Sequence, residues 1–139
     1  MITAVDTNVF VALWNRDDSW NRAAETALDL AFGRGGLVIS APVYAELLGL
    51  PGRSETFLDS FFRENSVLVD WDISRSMWKA AGHAFQTYSA RSKRRGSGQR
   101  RILADFLIGA HAVERNYPLL TFDQRIFRAA FLSLKMVVI

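Results

Sequence analysis

The chain has 139 residues, half of them hydrophobic, a formal charge of +3 and no cysteine. That length fits one domain, residues 1–139, with enough apolar material for a real core, which excludes disorder of the whole. The missing cysteine excludes disulfides and thiolate metal sites and fits a reducing cytoplasm.

Ile2 to Val5 reads as a short buried strand running into a helix on which Val9, Leu13 and Trp14 share a face. Asp17, Asp18 and Ser19 are good helix starters. A second helix is expected from Ser19 to Phe32, with Ala23, Ala24, Ala27, Leu28 and Ala31 as its apolar stripe and Gly33, Gly35 and Gly36 ending it. Leu37 to Ser40 is the next strand. Pro42 suits the first turn of the following helix, where its missing N–H costs nothing, and Pro51-Gly52 breaks that helix. Ser54 to Glu64 is helical with Phe57, Leu58, Phe61 and Phe62 inward, and Val67 to Trp71 is a third strand. A long helix from Ser74 to about Tyr88, capped by Ser74 or Asp72, leads into the one compositional break.

That break, residues 91–101, carries six positive charges and no acid, which leaves the rest of the chain mildly acidic. Gly and Ser make it a mobile handle for a polyanion; the bland reading is a solvated connection. Ile102 to Arg115 is then helical, Leu119 to Thr121 a brief strand, Gln124 to Ala130 a short helix and Met136 to Ile139 a final strand. The N-terminus has no basic segment followed by an apolar run, and no stretch approaches about 18 uninterrupted apolar residues, so neither a signal peptide nor a membrane helix is expected. Short apolar strands alternating with helices predict an α/β fold. The expected form is a single-domain three-layer α/β/α sandwich around a mostly parallel sheet, whose crevice lies beyond the carboxyl ends of the strands.

Acids recur where such a sheet would gather them. Asp6 closes the first strand, Glu46 follows the second, Asp105 interrupts an apolar run and Asp123 follows a short strand. Each has a bland reading: Asp6 and Asp123 as helix caps, Glu46 as an exposed helix residue, Asp105 as a paired acid. Together they call for a cation. Like charges about 4 Å apart repel by about 1 kcal/mol in water and about 4 kcal/mol at an effective dielectric near 20. An all-oxygen set suits Mg²⁺ or Mn²⁺ better than Zn²⁺, and a metal-bound water attacking phosphorus is the leading chemistry. His83 and His111 read as structural or surface residues, and no glycine fingerprint follows a strand.

In order, Asp6-Thr7-Asn8, Glu46-Leu47, Asp105 with Ile108, Ala110 and Ala112, and Leu119-Leu120-Thr121-Phe122-Asp123 with Phe127 resemble the PIN domain. Within that family they resemble the toxin ribonucleases of VapBC-type toxin–antitoxin pairs, and the resemblance spans essentially the whole chain. It implies a Mg²⁺- or Mn²⁺-dependent endoribonuclease with Asp6, Glu46, Asp105 and Asp123 as its acidic pocket. Asp6 and Asp105 would be direct metal ligands, and Glu46 and Asp123 ligands directly or through water. Thr121 would bond a carboxylate or position the attacking water, and Asn8 would orient Asp6. The resemblance further implies an RNA substrate, a small antitoxin laid across the pocket, and a homodimer. The basic stretch before the Asp105 helix is a departure, because members of the family vary there.

Aromatic supply (Trp14, Trp20, Phe57, Phe61, Phe62, Trp78, Phe85) exceeds what the pattern places inward, which leaves room for an apolar antitoxin groove; ordinary core packing is the commoner reading of any one. Two other functions compete. One is a non-catalytic PIN-like RNA-binding or scaffold domain, against which the complete acid set stands. The other is an aspartyl-nucleophile phosphatase, against which Asn8 stands where a second Asp would be needed.

Overall fold

Four short apolar runs make the sheet: β1 (Ile2–Val5), β2 (Gly36–Ser40), β3 (Val67–Asp70) and β4 (Leu119–Leu120). The computed structural model describes residues 1–91 and 103–137. All strand pairs are parallel, in the order β3-β2-β1-β4. Ala4 stands beside Val38 on one side and Leu119 on the other, so β1 is central. Thr3 to Val5 and Leu37 to Ser40 are buried throughout, as strands covered on both faces must be, and this is why their sequence is continuously apolar rather than alternating.

Seven helices fill the connections among the described residues: α1 (Thr7–Leu13), α2 (Asn21–Arg34), α3 (Ala41–Leu48), α4 (Glu55–Glu64), α5 (Arg75–Arg91), α6 (Leu103–Arg115) and α7 (Gln124–Ala130). None is long and apolar enough to cross a membrane. The core runs from Val5, Val9 and Phe10 through Ile39, Leu47 and Leu58 to Phe106, Ile108 and Phe127. Caps set several boundaries. Ser54 Oγ accepts from Phe57 N at 3.1 Å at the start of α4, and Ser74 Oγ accepts from Met77 N at 3.2 Å at the start of α5.

Several expectations need correction. α2 begins at Asn21, not Ser19, because Asp18 spends its carboxylate on Trp20 N at 2.8 Å and forms a turn. It then runs through Gly33 to Arg34. Gly35 ends it where a Cβ would collide with the backbone of Met1. Phe57 lies at the surface, 36% exposed, while Leu58 and Phe62 take the core positions. β3 stops at Asp70 and β4 at Leu120. α5 continues past Tyr88 to Arg91. The expected last strand is a single parallel bridge from Met136 to Leu119, held by Leu119 N to Lys135 O and Val137 N to Leu119 O, each 2.9 Å. Its Val138 and Ile139, the basic stretch from Ser92 to Arg101, and Ile102 lie outside the described residues.

Candidate active site

The chain winds outward from β1 to β2 to β3, then returns to lay β4 on the other side of β1. The crevice between β1 and β4 is therefore the switch point of the sheet, where the loops leaving adjacent strands diverge. Asp6 is the first residue beyond β1 and Thr121 the first beyond β4.

These two residues meet. Asp6 is 4% exposed, and its Oδ1 accepts from Thr7 N at 2.7 Å while its Oδ2 accepts from the Thr121 hydroxyl at 2.7 Å. Thr121 Oγ1 in turn accepts from Asn8 Nδ2 at 3.3 Å and from Asp123 N at 3.0 Å. One hydroxyl thus uses its single proton and both lone pairs, the full capacity of a threonine side chain. Asn8 has no hydrogen bond to Asp6. It reaches that carboxylate through Thr121 and holds the next residue as well, its Oδ1 accepting from Phe122 N at 3.3 Å.

The other acids arrive on helices. Glu46, exposed on α3, is tied to α1 by the Thr7 hydroxyl, which donates to its Oε1 at 2.6 Å. Thr7 is the site residue that sequence reasoning passed over; its signal was a hydroxyl directly after the strand-end aspartate. Asp105 is half-buried in the first turn of α6, and Asp123 is exposed at the start of α7. Neither carboxylate makes a hydrogen bond among the described residues.

Charge shows that the four form one neighbourhood. Burial pushes Asp105 up to about 7, and the charges of Asp6, Glu46 and Asp123 push in the same direction. Burial also pushes Asp6 up to about 6. The bonds from Thr121 and Thr7 act against it, and the charges of Glu46 and Asp123 add to it. Whichever of Asp6 and Asp105 ionises second does so against the charge of the first.

A second acidic group stands apart. Asp70, at the end of β3, accepts from His111 Nε2 at 2.9 Å and lies 3.2 Å from Arg115 Nε. Partial desolvation alone would raise Asp70. The bonds from His111 and the Asp72 N–H, with the Arg115 guanidinium beside them, outweigh it and hold the carboxyl below its usual range. His111 is 1% exposed and serves this pair rather than the acidic pocket; His83 is an exposed helix residue.

The model of the PIN domain matches residues 3–132. The chain belongs to the PIN domain family. No curated protein matches it by sequence. Its fold is similar to solved structures at low identity. One is a complex of VapBC2 from Rickettsia felis bound to a DNA fragment from its promoter (22% identity, 99% of this chain and 98% of that one, TM-score 0.68). FitAcB from Neisseria gonorrhoeae is another (20%, 99% and 97%, 0.64). VapBC-1 from nontypeable Haemophilus influenzae is a third (20%, 99% and 97%, 0.66).

Does this PIN domain suit a divalent cation? No three acidic or imidazole groups among the described residues stand close enough to enclose one. A full protein cage is therefore not what the fold offers. The donor set itself fits a hard ion, with only carboxylate and hydroxyl oxygens and the nearby imidazole committed to Asp70. Mg²⁺ is commonly held by one or two carboxylates and keeps its remaining waters. Asp6 and Asp105 are the two carboxylates on which such an ion would act, because it would relieve the repulsion between them.

Proposed function

We propose that this PIN domain is a metal-dependent endoribonuclease, the toxin of a VapBC-type toxin–antitoxin pair. The observation that carries the reading is the convergence of Asp6, Glu46, Asp105 and Asp123, from four separate elements, at the switch point between β1 and β4. A Mg²⁺ or Mn²⁺ ion there would make a bound water more acidic and neutralise charge on the phosphoryl oxygens.

The side chains then divide the work. Asp6 and Asp105 would hold the ion, with Glu46 and Asp123 joining them directly or through water. Thr7 N and Thr121 fix Asp6 at both oxygens, so its orientation costs nothing at the moment of binding. Among the described residues Thr7 holds only one oxygen of Glu46, and neither carboxylate oxygen of Asp123 is in a hydrogen bond. These exposed carboxylates can accept a proton from the attacking water or orient it.

An antitoxin partner has support in a second place. A groove of about 550 Å³ between α1, α2 and α4 is floored by Phe10, Leu13, Trp14, Leu28 and Phe61 and edged by Glu25, Asp29 and Glu64. An apolar floor with an acidic rim suits an amphipathic helix flanked by basic residues. α1 begins at the acids and ends in this groove, and its seven residues span roughly 10 Å. A partner seated there could reach the pocket with its next few residues.

The deciding experiment is cleavage of total RNA by the purified protein with Mg²⁺ or Mn²⁺, with EDTA, and with Asp105→Asn as the control for contaminating nuclease. Metal-dependent cuts that vanish in the variant are expected. RNA that is bound but left intact under every condition would instead establish a non-catalytic module.

A further inference from the structure

We propose that Trp20 seats a nucleobase of the RNA strand beside the acidic pocket, and that the groove along α2 between Arg22 and Arg34 takes the phosphates that follow. This deepens the ribonuclease reading and rests on it for the identity of the strand.

Trp20 is 49% exposed, yet it is not loose. Its ring stacks on Phe122 with centroids 4.6 Å apart and planes 29° apart. Its backbone N–H donates to Asp18 Oδ1 at 2.8 Å, and its backbone carbonyl accepts from Ala24 N at 2.8 Å. Phe122 lies between Thr121 and Asp123, and its own N–H is held by Asn8. The ring pair is therefore bolted to the frame that orients the acids. An exposed apolar side chain alone is ordinary. A large aromatic surface fixed in place, one residue from two site residues, is what a splayed base stacks on.

Charge sets the direction of the strand. The acids repel a phosphodiester backbone, so a strand needs cationic handles beyond the pocket. Arg22, Thr26, Leu30 and Arg34 lie four residues apart along one face of α2, and with Ala27 and Val137 they line a groove of about 410 Å³. Among the described residues no carboxylate lines it and neither arginine has an ion-pair partner. The two arginines are separated by roughly 18 Å of helix, room for several phosphates. One wall is tied to the site, because Gln124, the residue after Asp123, donates from Nε2 to Val137 O at 3.1 Å. Stacked rings, then a cationic groove with an apolar floor, is the arrangement that binds single strands.

The test is anisotropy binding of two labelled probes in EDTA, which prevents cleavage: a short mixed-sequence single-stranded RNA, and a ribose-phosphate chain of the same length without bases. Wild type should prefer the RNA. Trp20→Ala should bind RNA about five- to a hundredfold more weakly, the range for loss of one base–aromatic stack, with its affinity for the abasic chain unchanged. Trp20→Phe should keep most of the preference. Arg22→Gln with Arg34→Gln should weaken both probes and flatten the salt dependence. Equal RNA binding by Trp20→Ala and wild type, or an equal loss on both probes, would overturn the proposal. Failure of the nuclease reading looks different: the binding pattern would hold while total RNA stays uncut.

Discussion

Thr121 shows how much of the site depends on one hydroxyl. It donates to Asp6 and accepts from Asn8 and Asp123 N, so replacing it disturbs three partners at once. Thr121→Val keeps the shape but strands one oxygen of a buried carboxylate and two donors; stranded groups of this kind cost about 1–3 kcal/mol. Chemical denaturation should show that loss, and Thr121→Ser, which restores the oxygen, should recover most of it. Asp105 has the opposite character. Its charge adds to the repulsion around Asp6, Glu46 and Asp123. Asp105→Asn should therefore raise the melting temperature in EDTA at about pH 8 while cleavage is lost, the trade expected where a site holds destabilising charge for function. A lower melting temperature in that variant would mean the carboxylate is paired in a way the geometry does not show. The acids could be singled out in sequence only as an ordered set, Asp6 and Asp123 after strands and Glu46 and Asp105 within helical runs, because each alone has a bland reading. Their supports could not: nothing in the order of residues says that Asn8 bonds Thr121 rather than Asp6, since the two stand 113 positions apart.

Helices and strands were readable to the extent that their signals are local. β1 and β2 announce themselves by continuous apolar runs, and the start of α5 by the capping chemistry of Ser74. Where the deciding contact is distant, local pattern misleads. Phe57 fits an inward stripe, but Leu58 and Phe62 occupy the available core, and Phe57 rests instead against Trp14 and Arg53 at the surface. Met136 and Val137 have strand-like residues, but their strand pairing among the described residues is one bridge to Leu119, because β4 itself is two residues long. Two helix glycines make the same point in testable form. Gly82, in α5, has open space where a Cβ would go, so Gly82→Ala should stabilise by about 0.5–1 kcal/mol through reduced backbone entropy. Gly109, in α6, sits under the Phe131 ring, and a Cβ there would overlap three ring carbons. The same helix gain is then outweighed by overpacking of about 1–3 kcal/mol, and Gly109→Ala should destabilise. Adding Phe131→Ala should remove the penalty, and a double-mutant cycle checks it. Sequence alone gives the two glycines equal standing.

At the scale of the molecule, the parallel sheet gathers acids that the sequence scatters, and that gathering couples stability to pH and to cations. Asp6 and Asp105 have ordinary values of 3.8 and are pushed up to about 6 and about 7 on folding. Between those limits the folded chain binds more protons than the unfolded one. Their contribution to stability is therefore complete below about pH 4 and is lost as pH rises through about 6 to 7. Asp70 works in the other direction. It is held below its ordinary range, so its contribution is present above that range and fades only on the acid side. Without a divalent ion, melting temperature should thus fall between about pH 5 and about pH 8, and Asp70 cannot mask the fall. Mg²⁺ binds the ionised carboxylates and not the protonated ones, so the rise in melting temperature on adding it should be small at about pH 5 and large at about pH 8. Asp105→Asn should flatten both trends, because it removes one titrating carboxylate and lowers the repulsion on Asp6. Thermal melts of both proteins, with Mg²⁺ and with EDTA at each pH, measure all of this. A Mg²⁺ effect of equal size at the two pH values, or one that survives in Asp105→Asn, would place the ion away from Asp6 and Asp105 and would remove the link between the acidic pocket and metal-assisted cleavage.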